Sequence, residues 1–477
     1  MKKFWHPTAL SVALLAAFPL AAGAQSLDDL RKEQKALKDK VTALEQKLKD
    51  AEAKPASAGG TGGMTAQEKQ DFNRIVIKTE ALEDNQEAMG FKGLMISGQM
   101  DPSFIYNKAQ DRAGFQFLNS VSDDAYNYDN SYFGMAMIDF QKEMDGGTKW
   151  RLTLAPNRGV GAVVDGSSIV HEASVSVPLS DLQTRFIAGQ IPDWSGYEYL
   201  QPTLNKLITH NLLFDFTLPT AYTGAGMDYT SGKWWIRGVV ANMNGTKRSA
   251  GEKSPVIAYR VDYSKGEFQG FGFAGVHGKA ANFRAFDDTT ASGLGANPVT
   301  GLDYSGKDTA LHLFEFDAYF IRGDWTVQGQ VSVGQQKNAA ITADPISGDL
   351  RNARWYGLSM LAAHKFTPRF EGIARFDYLN NKKNGGGLLG YTFSDDRNGI
   401  GPGWTDDGTG NWTQNDPETG ANRYALSLGV SYLFDLNTVF KAEYRHDRAN
   451  QAVFNYVKDG SYKKSNHVLG AAVVVSF

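Results

Sequence analysis

The chain has no cysteine in 477 residues. That excludes disulfides, thiol nucleophiles, thiolate-bound zinc and a lipid-modified cysteine behind a leader. Downstream of the first two dozen residues there is no run of about twenty apolar residues, the length a helix needs to cross a bilayer, so a membrane crossing would have to use strands. Charge of either sign is not in excess: 49 Lys+Arg face 52 Asp+Glu, a net of −3, which gives no electrostatic case for nucleic acid. No Gly-rich phosphate loop opens a helix, no Ser, His and Asp set is joined by position, and the 8 His share no ligand spacing. His171-Glu172 begins a zincin-like pattern, but Val175 stands where the second His belongs. The expectation is therefore no enzyme, no catalytic residue, no metal and no cofactor.

The amino-terminal end carries targeting features. Lys2 and Lys3 precede an apolar stretch from Ala9 to Leu20, and Ala22-Gly23-Ala24 offers a small-residue cleavage site, so residues 1–24 read as a signal peptide. Leu27, Leu30, Leu37, Val41, Leu44 and Leu48 keep a and d heptad positions, which predicts a coiled coil over 25–54. Pro55 to Met64 is rich in Ala and Gly and reads as a flexible linker over 55–64. A second helical segment over 65–90 opens with the capping box Thr65-Ala-Gln-Glu68. Helices this short are marginal alone in water, so partner chains, most simply in a trimer, are expected.

From residue 93 the period changes to two. Sixteen alternating segments run from 94–106 to 466–477, with seven short turns and eight longer connections between them, including a long one over 107–130. That is the count an antiparallel barrel needs when both ends lie on one side, so 93–477 is expected to form an all-β transmembrane barrel. Trp150, Tyr229, Trp234, Phe271, Trp325, Phe370 and Phe440 fall near the short-turn ends, as an aromatic girdle would. Arg322-Gly-Asp324 is one of those turns, since Gly and Asp are turn residues by backbone physics.

Sixteen strands enclose a lumen too wide for side chains to fill. Residues 193–222 carry far more apolar side chains than the other connections, Trp194, Leu207, Ile208, Leu212 and Phe216 among them, and are expected to fold inward and narrow it. Asp193, Glu198, Lys206, His210 and Asp215 are then the expected constriction charges. Arg151, Arg185, Arg237, Arg260, Arg375 and Arg445 fall on the polar faces as lumen-wall residues. Arg151, Arg185 and Arg237, on nearby strands, are the expected partners of the loop's acids.

Arg185-Phe-Ile-Ala-Gly-Gln190, Tyr197-Glu-Tyr-Leu200, Leu218-Pro219 and Gly224-Ala-Gly-Met-Asp-Tyr229 resemble the third-loop region of the phosphate-selective porin O/P-like family. The resemblance implies a sixteen-stranded outer-membrane trimer with an amino-terminal periplasmic coiled coil and an inward third loop. Lys206 and His210 here are opposed by Asp193, Glu198 and Asp215, which points to mild ion preference. The expected function is passive diffusion of small hydrophilic solutes or ions across the cell outer membrane, among lipid and lipopolysaccharide. The alternative is a structural tether, a barrel anchoring a periplasmic coiled coil that contacts the cell wall.

Overall fold

The structure is a computed structural model, and it describes residues 74–78, 92–117, 133–155, 169–219, 221–243, 255–264, 267–281, 308–338, 352–381, 401–415 and 419–477. It divides into two units, Met1–Leu94 and Met95–Phe477. In the first unit residues 74–78 are helical, inside the segment where a second helix was expected. The signal peptide, the coiled coil over 25–54 and the linker over 55–64 lie outside the described residues.

The second unit is a closed antiparallel barrel of 16 strands. They are β1 (Leu94–Met100 and Ser103–Asn107), β2 (Arg112–Gln116 and Ala136–Glu143), β3 (Lys149–Leu154), β4 (Val170–Pro178), β5 (Thr184–Pro192), β6 (Ala221–Ser231), β7 (Trp234–Met243) and β8 (Val256–Ser264). The remainder are β9 (Gln269–Ala281), β10 (Asp308–Arg322), β11 (Trp325–Gln336), β12 (Ala353–Lys365), β13 (Phe370–Asn380), β14 (Asn422–Leu433), β15 (Thr438–Ala449) and β16 (Ser465–Ser476). Each strand pairs with its sequence neighbour, and β16 closes the ring on β1 through Gln99↔Ser476 and Met100↔Val475. Closure leaves no unpaired strand edge, which is what permits strands in a hydrocarbon phase.

Alternation sets the two faces. On β12, Ala353, Trp355, Ser359, Leu361 and Ala363 are buried inward while Tyr356 and Met360 point out and are exposed. Outward Val240, Ile257, Phe314, Val331, Phe376, Leu428 and Leu469 continue an apolar band around the wall, and Phe477 is 63% exposed on the same face. Trp234, Tyr263 and Phe271 pack together near the short turns of β7–β9, and Tyr356, Tyr378 and Tyr424 pack together on β12–β14 towards the long connections. Aromatic groups at both ends of an apolar band match the two interfaces of a bilayer.

The beginning of the barrel differs from the sequence expectation. The predicted long connection over 107–130 is instead a tight turn, with Asp111 at φ 49, and β2 starts at once. The chain leaves the wall after Gln116 and rejoins it at Met135, whose carbonyl accepts from Asp101 N at 3.0 Å and whose amide donates to the Asp101 carboxylate. Gly134, at φ +67, permits the return, because a Cβ there would meet the Gln116 carbonyl. β1 is itself broken at Pro102, which has no N–H for the ladder. The turn Lys108-Ala-Gln-Asp111 carries no Gly or Pro, which hid it in the sequence.

Candidate functional site: the loop across the barrel

The connection between β5 and β6 leaves the wall at Asp193 and is tied shut at its base, where the Asp193 carboxylate accepts from Tyr222 Oη at 2.5 Å and from Ser195 N and Oγ at 3.0 Å each. It then crosses to the far wall. Trp194 O accepts from Arg260 of β8 at 2.7 Å, and Tyr197 Oη shares a hydrogen bond with Ser359 of β12 at 2.5 Å. Lys206 donates to Glu371 of β13 at 2.8 Å, and the amides of Ile208 and Thr209 donate to Glu443 of β15 at 2.8 Å each. Lys441 of β15 donates to the carbonyls of Pro202 and Asn205 at 2.6 Å each. Asn211 caps the short helix Leu212–Thr217 by accepting from Phe214 N at 2.8 Å, and every residue of that helix is buried.

Apolar contacts hold the same course. Tyr197 and Leu207 pack on inward Leu361, Ala363 and Ile373. Leu212, Leu213 and Phe216 join inward Leu311, Leu313, Trp355 and Leu379 in one buried cluster, which also takes in Val453, Phe454 and Tyr456 from the connection before β16. An apolar inner wall makes sense only with something packed on it. At roughly 25 cal/mol per Å² of apolar area removed from water, a cluster of this size holds the loop in one place.

The polar centre of this contact is a desolvated ion network. Arg375 donates to Glu198 at 2.8 Å, to Asp377 at 3.1 Å, and to the Thr209 and His210 carbonyls at 2.6 and 2.8 Å. Arg445 donates to the His210 carbonyl at 2.6 Å and, with Arg423, to Asp447. The side chains of Arg375, Arg423 and Arg445 are 0% exposed. A planar guanidinium can satisfy several acceptors at once, which offsets its loss of water here.

The expected constriction residues therefore divide. Asp193 and Lys206 are half-buried, but Glu198, His210 and Asp215 are buried in the loop's contact with the wall. Asp193 and Glu198 also border the larger of two cavities beside the loop, and His210 and Asp215 do not. The loop's acids also do not meet the expected partners: Glu198 pairs with Arg375, and Asp193 is held by Tyr222 and Ser195. Arg151 instead pairs along the wall with Asp139 at 2.9 Å and Glu172 at 3.2 Å. Arg185 donates to Ser176 and to the Gly147 carbonyl near a short turn. Arg237 pairs with Asp228 at 3.1 Å and meets the loop at the Trp194 ring, 5.0 Å away. The reason is reach: the apolar helix carries the loop past its own strands to β12–β15, so far-wall arginines receive its charges. Arg260, Arg375 and Arg445 do contact it.

Sequence reasoning passed over a usable signal. Arg260-Val-Asp262, Arg375-Phe-Asp377 and Arg445-His-Asp447 repeat Arg-x-Asp on three strands, and a spacing of two puts both members on one face. Inward Leu311, Leu313, Trp355, Leu361 and Ile373 were a second signal, since a water-filled lumen has no use for them.

Burial also shifts the loop's ionisable groups. His210 stacks on Phe214 at 4.2 Å, its Nε2 lies 2.8 Å from the Tyr199 carbonyl, and burial pushes it down from 6.5 to about 3. Burial pushes Glu198 up to about 7 although the Arg375 guanidinium pulls the other way, and it pushes Asp215 up as well. A docked His210 stays neutral down to about pH 3, whereas a released loop would protonate it below 6.5. Its share of docking is thus present above 6.5 and weakens as pH falls towards 3, by about 1.4 kcal/mol per unit. The raised carboxyls favour docking as pH falls, so the test is differential. A nitroxide on Thr203→Cys, the sole thiol in the chain, is expected to gain more mobility between pH 6.5 and 4.5 with His210 present than in His210→Gln. Equal pH responses would reject the assignment.

Beside the loop lie two cavities. One, of ≈ 630 Å³, is lined by Arg151, Glu172, Trp194, Tyr199, Arg237, Arg260, Asp262 and Asp317 between the loop and the wall. The other, of ≈ 360 Å³, lies near the short turns and is lined by Lys206, Lys365, Arg369, Glu371 and Lys441. The first mixes both charge signs with aromatic faces; the second is mainly basic. Among the described residues no group of three or more His, Cys, Asp or Glu is placed to hold a metal ion.

A family model described as "Protein of unknown function (DUF3138)" matches residues 51–477. No curated protein matches the chain by sequence. Among solved structures the chain is similar to an anion-selective porin from Comamonas acidovorans (10% identity, 80% of this chain and 99% of that one, TM-score 0.49). It is also similar to OmpT, an outer membrane protein of Vibrio cholerae, in its in-vitro folded form (10% identity, 80% and 97%, TM-score 0.47). A third is OmpF of Salmonella typhi in complex with daunomycin (12% identity, 80% and 97%, TM-score 0.45).

Proposed function

The chain belongs to the DUF3138 family, whose function is unknown, and we propose that it is an outer-membrane porin carrying small hydrophilic solutes or ions by passive diffusion. The observation that carries this reading is a closed barrel crossed by one long loop that leaves a charged cavity of ≈ 630 Å³ beside it. The outward apolar band with aromatic groups at both ends supports a place in the outer membrane, among lipid and lipopolysaccharide. In this reading the loop narrows the passage by occupying the lumen, and solutes meet the paired Arg151, Arg237 and Arg260. Wall carboxylates near each arginine support mild ion preference. Assembly as a trimer through an amino-terminal coiled coil in the periplasm rests on the heptad spacing over 25–54 and belongs to the same proposal, while a contact of that coiled coil with the cell wall belongs to the tether alternative.

Reconstitution in planar bilayers tests it. Discrete channel openings are expected, and a barrel that never conducts would favour the tether. Arg151, with a side chain 38% exposed, is the wall charge best placed to act on passing ions. Arg151→Gln is expected to move the reversal potential in a salt gradient towards cations, and an unchanged potential would remove the cavity from the permeation path.

A further inference from the structure

Half of the chain's histidines, scattered in sequence, meet in two pairs on the outer face of the barrel. His277 of β9 stands directly across from His312 of β10, and His446 of β15 directly across from His467 of β16. In both pairs the Nδ1 atoms face each other, at 3.2 Å and 3.3 Å. Their strand neighbours Val276, Leu311, Arg445 and Asn466 are buried inward, so alternation points all four imidazoles outward.

We propose that each pair is a two-imidazole site for a divalent transition-metal ion, zinc or copper, at the outer rim of the barrel. Imidazole nitrogens sit about 2.0–2.1 Å from zinc, so two of them on one ion at a tetrahedral angle lie about 3.3 Å apart. The observed separations match the nitrogen-to-nitrogen spacing of that chelate, and a small reorientation of the rings would turn both lone pairs onto one ion. Partners on the same face set the ring positions. Tyr259 Oη lies 3.3 Å from His277 Nε2; with Nε2–H donating to the phenol oxygen, the lone pair at Nδ1 is left for a metal. Tyr444 Oη lies 2.8 Å from His467 Nδ1, on the edge of the second gap, and its hydrogen bond to that nitrogen gives way when a metal takes the lone pair. Two nitrogens from the protein leave the ion's other positions open to exogenous ligands, so these are exchangeable sites rather than structural ones.

The same separations also fit an N–H···N hydrogen bond between two neutral imidazoles, and experiment separates the two. The untagged full-length protein in detergent micelles is titrated with CuCl₂ and followed by electron paramagnetic resonance, with ZnCl₂ calorimetry in parallel. The expected result is two equivalents per chain with a copper spectrum showing coupling to imidazole nitrogen. His312→Asn should remove one equivalent, His467→Asn the other, and the double variant both. These side chains face outward and carry no part of the loop contact, so the folded barrel is expected to persist, which heat-modifiable migration on gels verifies. Copper uptake that the double variant retains would assign the metal to other histidines, and absence of saturable binding would leave the pairs as hydrogen bonds. Either result overturns the proposal. Neither depends on whether the barrel conducts.

Discussion

Replacing residues 199–217 by a short Gly-Ser bridge is expected to raise single-channel conductance several-fold, because the lumen of a sixteen-strand barrel is set by its loop and not by its wall. The cut spares the base, where Asp193, Ser195 and Tyr222 hold the two ends of the loop together, so β5 and β6 keep their register. It removes the whole apolar helix and the contacts that Lys206 to His210 make with β13–β15, and leaves Tyr197 on Ser359 and Glu198 on Arg375. Inward Leu361, Ile373, Trp355 and Leu379 would then face water, a cost in stability that should appear as a lower midpoint of thermal unfolding. A deletion that leaves conductance unchanged would place the loop outside the permeation path and sink the porin reading's account of constriction. As a control, Asp407→Asn lies in the exposed turn before Gly408 and should change neither quantity.

The barrel was legible because its signals are local. Alternation with period two, Gly and Asp at the short turns and aromatics at strand ends all act within a few residues. The inward course of 193–222 was legible for the same reason, since its apolar content has no place in water. What the loop touches was not legible. Docking on β12–β15 joins residues some 160 to 240 apart in sequence, and no periodicity records that Glu198 will meet Arg375 rather than Arg151. The first connection failed for another reason: Asp111 supplies the left-handed turn that a Gly would have announced, and the polar stretch after Gln116 read as the loop itself. The histidine pairs were invisible because cross-strand register, and not spacing along the chain, brings them together.

Arg375 is the residue whose loss should most disturb the site without touching the barrel. Its guanidinium serves Glu198 and the Thr209 and His210 carbonyls of the loop, and Asp377 of its own strand, with no solvent contact. Arg375→Met keeps much of the side-chain volume and removes the charge. Glu198 and Asp377 are then left as buried carboxylates without their cation, and breaking a buried pair in this way costs about 3–5 kcal/mol. The backbone ladder that joins β12, β13 and β14 does not depend on Arg375, whereas the loop's hold on the wall does, so the loop is the part that leaves. The expected outcome is a released loop in an intact barrel: cleavage by trypsin after Lys206 in the folded protein, and open-channel noise in bilayers where the native protein is quiet. Adding Glu198→Gln should recover part of the protection, since a neutral amide beside Met is cheaper to bury than an unpaired carboxylate. If Arg375→Met is as resistant to trypsin as the native chain, the ion network is not what holds the loop, and the apolar contacts of Leu207, Leu212 and Phe216 suffice by themselves.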